Sequence, residues 1–361
     1  MKFITEFRDK EIASDLVSAI LKEAKKNRRY RIMEVCGSHT MSISRFGIRG
    51  LLPDNIEFVS GPGCPVCVTP QWEIDAVFDI AAKEDVVVAT FGDMIRVPGS
   101  RGESLQKLRV EGADIRVIFS SMDVLKIAEQ TDKNVVFLAI GFETTAPTSA
   151  ALVKTAKELD KRNISITPFC KTVPEVIDVL LADESLNIDG FLCPGHVSVI
   201  TGLNIYEPIV AKGRGAVVTG FEPLDILSSV LEIVRQQNSG LFEVKNFYTR
   251  AVKAEGNLKA QKLLDEVFYK ADTDWRGLGE IPKSGLRLKD EYKAFDALDK
   301  FGVNKTGDID LQGCMCGEVL KGKMKPLECG MFDNGCTPQN PYGPCMVSSE
   351  GSCSAYYKYE R

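Results

Sequence analysis

Sulfur is the chemistry this chain is richest in. Eleven cysteines occur beside only two histidines, His39 and His196, and six of the cysteines lie in the last 48 residues. Cys64 and Cys67 form a C-x-x-C just upstream of a helix that Thr69 can cap and Pro70 can begin. Helix-dipole charge nearby favours a thiolate, which reads as a dithiol–disulfide couple. Half of a zinc site and inert structural thiols are the other readings, although no second pair with 2–4 spacing stands near. Cys36 is a single cysteine three residues before His39. It is either a buried strand-end thiol or a nucleophile or soft-metal ligand with an imidazole beside it. His196 is either a satisfied core histidine or, as its Pro-Gly setting suggests, a loop histidine able to act as ligand or proton donor in a cleft. Glu143, with Thr144 and Thr145, follows a strand and a glycine and is either a solvated loop with a helix cap or a group that orients a ligand in a cleft. Asp93 is a weaker candidate of the same kind, and Cys170 and Cys193 read as packing residues.

In the tail, Cys314, Cys329, Cys336 and Cys353 are separated by fourteen, six and sixteen residues, with Cys316 and Cys345 left over. Four thiolates can complete a [4Fe–4S] cluster and a remaining pair can close a disulfide. Spacing by itself does not choose which four of the six are ligands, and structural zinc is the competing reading. From Gly313 onward Gly, Pro, Cys, Asn and Ser dominate without periodicity, so the segment cannot order itself by burying apolar surface. A metal or covalent links must hold it.

These residues need a frame. Strands are expected at Arg31–Cys36, Ile56–Ser60, Asp85–Phe91, Ile115–Ser120, Asn134–Ile140, Ile164–Phe169, Gly190–Cys193 and Ala216–Thr219. Helical patterns over Pro70–Ala82, Met122–Glu129, Thr148–Leu159, Val173–Leu181 and Leu224–Gln236 alternate with them, which predicts parallel α/β sheets. Cys36, Cys64, Asp93, Glu143 and His196 all follow a strand, the end at which parallel sheets collect functional groups. An echo of Phe119-Ser120-Ser121-Met122-Asp123 in Phe221-Glu222-Pro223-Leu224-Asp225, and of Met33–Thr40 in Leu138–Thr145, suggests two similar domains over 30–120 and 121–239. An amphipathic helix built on Ile12, Leu16 and Ile20 opens the chain. Beyond Gly240, Leu258–Phe268 and Glu291–Leu298 look helical around the loop Trp275–Gly279.

Composition sets the class. Apolar residues make up 44% and charged residues 26%, as in an ordinary globular protein. A net charge of −5, from 45 basic and 50 acidic residues, argues against a nucleic-acid or membrane surface. No apolar run is long enough to span a bilayer, and the start Met1–Asp9 carries no signal core, so a cytoplasmic monomer is expected. Gly61-Pro62-Gly63 lacks the third glycine of a dinucleotide fingerprint, Val66 standing in its place. No phosphate-binding loop and no nucleophile elbow occurs.

The motifs Cys36-Gly37-Ser38-His39-Thr40, Gly61-Pro62-Gly63-Cys64-Pro65-Val66-Cys67, Gly141-Phe142-Glu143-Thr144-Thr145, Pro194-Gly195-His196-Val197-Ser198 and the C-x14-C-x6-C-x16-C tail resemble the hydrogenase maturation factor HypD family. The chain departs from many members in carrying Met41 where a second histidine stands. The resemblance implies two similar parallel-sheet α/β domains and a mostly helical or irregular iron–sulfur domain built from 1–29 plus 240–361. It implies a redox-active scaffold on which the Fe(CN)2CO group of [NiFe]-hydrogenases is assembled, with HypC sharing the iron and HypE delivering cyanide. It makes Cys36 the ligand of that iron, Cys64 and Cys67 the redox pair, and Cys314, Cys329, Cys336 and Cys353 the ligands of a [4Fe–4S] cluster. Cys316 and Cys345 fall where a family disulfide is described. His39, Glu143, Thr144 and His196 are then candidates for binding cyanide nitrogens or moving protons. A free-standing iron–sulfur thiol–disulfide reductase acting on a protein substrate is the alternative function.

Overall fold

The computed structural model describes residues 5–307 and 313–361. The first four residues, part of the start read above for a leader, lie outside the described residues. Among the described residues there are eleven strands: β1 Tyr30–Glu34, β2 Ile56–Ser60, β3 Val86–Thr90, β4 Asp114–Val117, β5 Asn134–Gly141, β6 Ile164–Cys170, β7 Gly190–Pro194, β8 Gly215–Thr219, β9 Val244–Asn246, β10 Phe268–Trp275 and β11 Gly279–Leu288. The first eight fall on the eight expected segments. Runs such as Val86-Val87-Val88-Ala89-Thr90 are buried throughout, as strands covered on both faces must be.

Two parallel sheets result, ordered β2-β1-β7-β8-β9 and β4-β3-β5-β6. Each contains the same arrangement of four strands, second-first-third-fourth in chain order, so the architecture is repeated. The repeat does not follow the consecutive division into 30–120 and 121–239. The segment before residue 61 contributes β1 and β2 to one sheet, and β1 then pairs with β7, Ile32 opposite Gly190. The entire second sheet is inserted between them. Topological equivalence therefore relates β1 to β3 and β8 to β6, whereas the two sequence echoes relate β1 to β5 and β4 to β8.

One hydrophobic core runs from the first sheet (Met33, Val59, Phe191, Val218) through the second (Val88, Val136, Leu138) into Trp275, Cys316 and Cys345. A second covers the opposite face of β3, β5 and β6. A third lies under the helices Lys10–Glu23 and Pro223–Ser239. The first of those helices starts where the Asp9 carboxylate accepts from the Glu11 and Ile12 amides, and the second opens on a capping box between Glu222 and Asp225.

The amino-terminal helix packs on Pro223–Ser239, Val244–Asn246 extends the first sheet, and the cysteine tail packs elsewhere, its last helix Ser352–Tyr359 lying on the helix Gly37–Arg45. The stretch after Gly240 also holds a β10–β11 hairpin where only a loop was expected. Its strands carry polar residues on an exposed face, which hid their period. Glu291–Leu298 is a 3₁₀ turn, Asp290–Phe295, broken by the Asp296 cap of Ala297–Phe301. Among the described residues, no helix is long and apolar enough to cross a membrane.

Beneath the sheet ends, Lys171 Nζ sits 2.9 Å from Glu73 Oε2 with both side chains buried. Burial pushes the Glu73 carboxyl up and the Lys171 amine down, and their contact opposes both. Removing one partner leaves the other buried and unpaired, so Lys171→Ala should cost about 3–5 kcal/mol of stability. Urea denaturation checks this; a loss below about 1 kcal/mol would show that the pair holds nothing together.

Candidate functional site

The turns that leave β1 and β2 cross at van der Waals limits. A Cβ on Gly63 would sit 1.4 Å from the Val35 carbonyl oxygen, so only glycine can occupy the position. The Gly37 amide donates to the Gly63 carbonyl at 3.2 Å, pinning the Cys64 turn to the Cys36 turn. Cys36 precedes the helix Gly37–Arg45 as its cap residue, and Cys64 caps Pro65–Val68, its Sγ accepting from the Cys67 amide at 3.2 Å. Cys64 and Cys67 are joined as a disulfide, 2% and 0% exposed.

The turn after β5, from the second sheet, closes the opposite wall. One small pocket is lined by Cys36, Gly63, Pro65, Phe142, Thr144 and His196, together with Glu350 from the tail. Of the residues expected at the site, Cys36, Thr144 and His196 line this pocket directly. Glu143 sits one residue from it but turns inward. Its Oε1 accepts from the Val173 amide at 2.9 Å, Oε2 has no hydrogen-bond partner among the described residues, and burial raises its carboxyl to about 7.

His39 is fully buried, with Nε2 3.3 Å from the Thr219 carbonyl. A carbonyl only accepts, so this nitrogen carries the proton and Nδ1, which has no partner among the described residues, is left bare. Burial lowers the His39 imidazole to about 3 and lowers His196 as well, so both rings are neutral near pH 7. Both stack on Phe221, at ring-centre distances of 4.7 and 4.1 Å. In the sequence Phe221 stands out only as part of an echo and carries no assigned role; an aromatic after a strand gives no signal of what it will stack upon.

Glu350 was missed altogether. Ser38 Oγ donates to its Oε1 at 2.7 Å, and its backbone carbonyl lies where a Cβ on Gly37 would be, 2.1 Å away. Burial raises its carboxyl. Burial first, and the Glu350 charge second, push the Cys36 thiol up to about 12. The tail is anchored beside the site by Asp93, whose Oδ2 accepts from Ser348 and Ser349 at 3.0 and 3.2 Å, and by Arg96 Nη1, which donates to the Pro338 carbonyl at 3.0 Å. Asp93 is thus a tail anchor rather than a pocket residue.

Cys314, Cys316, Cys329, Cys336, Cys345 and Cys353 ring a single apolar cavity with Met331, Phe332 and Tyr342. Cys316 Sγ and Cys345 Sγ lie 2.9 Å apart and are not bonded. The contact with Cys345 lowers the Cys316 thiol, while Cys345 is raised well above its ordinary value by the same contact. Among the described residues, no three His, Cys, Asp or Glu side chains converge closely enough to hold one metal ion. The short helix Pro344–Val347, carrying Cys345, packs against Pro65–Val68, carrying Cys67 of the disulfide. Cys170 and Cys193 are buried, their thiols donating to the carbonyls of Ala139 and Phe191, in keeping with packing roles.

Fold and site together define a thiol-rich α/β protein in which two parallel sheets and a cysteine tail close over one buried cysteine. The family model HypD, described as "Hydrogenase formation hypA family", matches residues 11–360. The chain is 44% identical over 372 residues to "Hydrogenase maturation factor HypD2" of Bradyrhizobium diazoefficiens, covering 100% of this chain and 97% of that one. It is 44% identical over 370 residues to "Hydrogenase maturation factor HypD" of Cupriavidus necator, covering 100% and 98%. Against the protein of that name from Rhizobium leguminosarum bv. viciae it is 45% identical over 372 residues, covering 100% and 96%. The chain belongs to the HypD family of hydrogenase maturation factors.

Two of these groups can be titrated. The Glu350 charge disfavours a Cys36 thiolate, so Glu350→Gln should lower the Cys36 pKa and speed its alkylation at pH 8, read by peptide mass spectrometry; an unchanged rate would remove Glu350 as an electrostatic partner. His39 takes up a proton in the unfolded chain near pH 6.5 but not in the folded one until about pH 3. Stability should therefore be fully present above pH 6.5 and fall by roughly 1 kcal/mol per pH unit below it. In His39→Phe this contribution to the slope should be absent in acid urea titrations.

Proposed function

We propose that this protein is a redox-active scaffold on which the Fe(CN)2CO group of [NiFe]-hydrogenases is assembled in the cytoplasm, with Cys36 as its ligand to the cargo iron. The observation that carries the reading is the convergence of Cys36, Thr144, His196 and Glu350 on one pocket beside the Cys64–Cys67 disulfide. A thiolate is the soft ligand that iron carrying cyanide and carbonyl prefers. Burial holds the Cys36 proton until a cation is bound, so the thiol gives it up only on metal binding. Glu350, hydrogen-bonded to Ser38 and lining the same pocket, is a carboxylate placed to receive it. His196, neutral and on the pocket wall, can donate a hydrogen bond to a cyanide nitrogen, and the Thr144 hydroxyl can do the same. A small partner of the HypC kind would supply the remaining iron ligand, and HypE the cyanide.

Ligand attachment consumes electrons. In this reading Cys314, Cys329, Cys336 and Cys353 hold a [4Fe–4S] cluster, and their ring around one cavity suits a group whose four irons each take one thiolate. When bound, that cluster supplies single electrons. Cys316 and Cys345, between the ring and the Pro65–Val68 helix, pass reducing equivalents to Cys64–Cys67 by thiol–disulfide exchange. The alternative of a free-standing reductase of protein disulfides is disfavoured by the burial of both Cys64 and Cys67.

The test is an infrared spectrum of the protein purified anaerobically with its small partner. Cyanide and carbonyl bands are expected, and they should vanish in Cys36→Ala while iron and sulfide in the tail persist. Bands that survive that substitution would defeat the ligand assignment.

A further inference from the structure

The β10–β11 turn, Trp275-Arg276-Gly277-Leu278-Gly279, touches three functional segments that are far apart in the chain. Trp275 stacks on Phe142, beside Glu143, with ring centres 5.8 Å apart and an interplanar angle of 18°. Arg276 is only 8% exposed. Its backbone amide donates to the Val68 carbonyl at 2.8 Å, Nε to the Thr69 carbonyl at 2.9 Å, and Nη2 to Gln71 Oε1 at 3.0 Å. Val68 and Thr69 end the C-x-x-C helix, so these are carbonyls the helix leaves unsatisfied, and a side chain from 207 residues away satisfies the second of them. Gly277, at φ +74°, rests against Gly317 in the helix Cys316–Leu320; a Cβ there would lie 2.2 Å from the Gly317 α-carbon.

Every hydrogen bond described for Arg276 goes to a neutral oxygen. A buried guanidinium is ordinarily matched by a carboxylate, because stability alone favours pairing. Here its fork is spent on fixing the geometry of one short helix. We infer that Arg276, carried on this turn, is the positioning residue for exchange between the tail thiols and the Cys64–Cys67 disulfide. The inference rests on the reading of the tail as the source of reducing equivalents.

The step it serves is balanced within the chain. Cys345 loses its proton as its sulfur attacks Cys67 Sγ, the Cys64–Cys67 bond breaks, and Cys64 leaves as a thiolate. Cys316 then attacks Cys345 Sγ, releasing Cys67 and forming Cys316–Cys345. One pair is oxidised by two electrons, the other reduced by two, and the two protons lost by the tail pair end on Cys64 and Cys67. In-line attack requires sulfur atoms held to within a fraction of an ångström, and a misplacement of about 1 Å costs on the order of 100-fold in rate. Arg276 holds the end of the attacked helix; Gly277 holds the helix of the resolving cysteine.

The full-length protein, purified anaerobically with its iron and sulfide counted, is reduced by a viologen radical. Cys64 and Cys67 thiols are then counted over time by alkylation and peptide mass spectrometry. In a parallel measurement the same disulfide is reduced directly by a small phosphine. Arg276→Gln should slow viologen-driven appearance of the thiols on the order of 100-fold, and Gly277→Ala should slow it too, without slowing the phosphine reaction. Arg276→Lys keeps the charge but not the fork and should remain slow. If Arg276→Gln does not fold, the lysine and Gly277→Ala variants carry the test. Variants in which both rates rise report a merely loosened fold and overturn the inference. Unaltered viologen rates in all three, with Cys345→Ser still slow, overturn it while leaving the tail as the source. An unaltered rate in Cys345→Ser defeats the underlying reading itself.

Discussion

The carbonyl oxygen of Val35 occupies the space where any side chain on Gly63 would be, and much else in this molecule follows from that contact. Two turns leaving adjacent parallel strands are forced into backbone contact, which sets Cys36 and the Cys64–Cys67 disulfide on neighbouring walls. Parallel pairing of β1 with β2 is what brings both turns to the same end of the sheet, with Met33 opposite Val59 and Glu34 opposite Ser60. A third wall comes from the other sheet through Phe142 and Thr144. The tail, too poor in periodic apolar residues to fold by itself, is ordered by what it leans upon: Asp93, Ser38, Arg96 and the helix Gly37–Arg45.

Burial sets the electrostatics of the site. Cys36 is held as a thiol, His39 and His196 as neutral imidazoles, and Glu143 sits near the middle of its titration at neutral pH, all because burial penalises the charged form. Such groups become charged only when a counter-charge arrives. The bare Oε2 of Glu143 and Nδ1 of His39 are costly features in a folded protein.

Cys36, Cys64, Cys67, Glu143 and His196 can be placed at strand ends from the chain's local patterns, because strand–turn–helix punctuation is local and each motif carries its own glycine or proline. The eight strands are legible for the same reason. Three things are not. The interleaving of the two sheets depends on β1 pairing with β7 some 158 residues later, and no local pattern encodes a partner at that distance. The β10–β11 hairpin has one exposed polar face and a register shift between Ala271 and Thr273, which breaks its alternation. Glu350 and Arg276 look like ordinary charged residues of a loop until the chain is folded over them.

The sequence by itself therefore determined which groups are present: a cysteine-rich tail, and a lone cysteine and a disulfide-forming pair delivered to the ends of parallel strands by turns that only their residues can make. Tertiary structure alone decided which of those ends share a pocket, which carboxylate faces Cys36, and which arginine secures the C-x-x-C helix. The physical reason is range. Turn geometry and strand periodicity act over a few residues, whereas burial, and the pKa shifts and hydrogen-bond demands that come with it, arises only where segments hundreds of residues apart exclude water together.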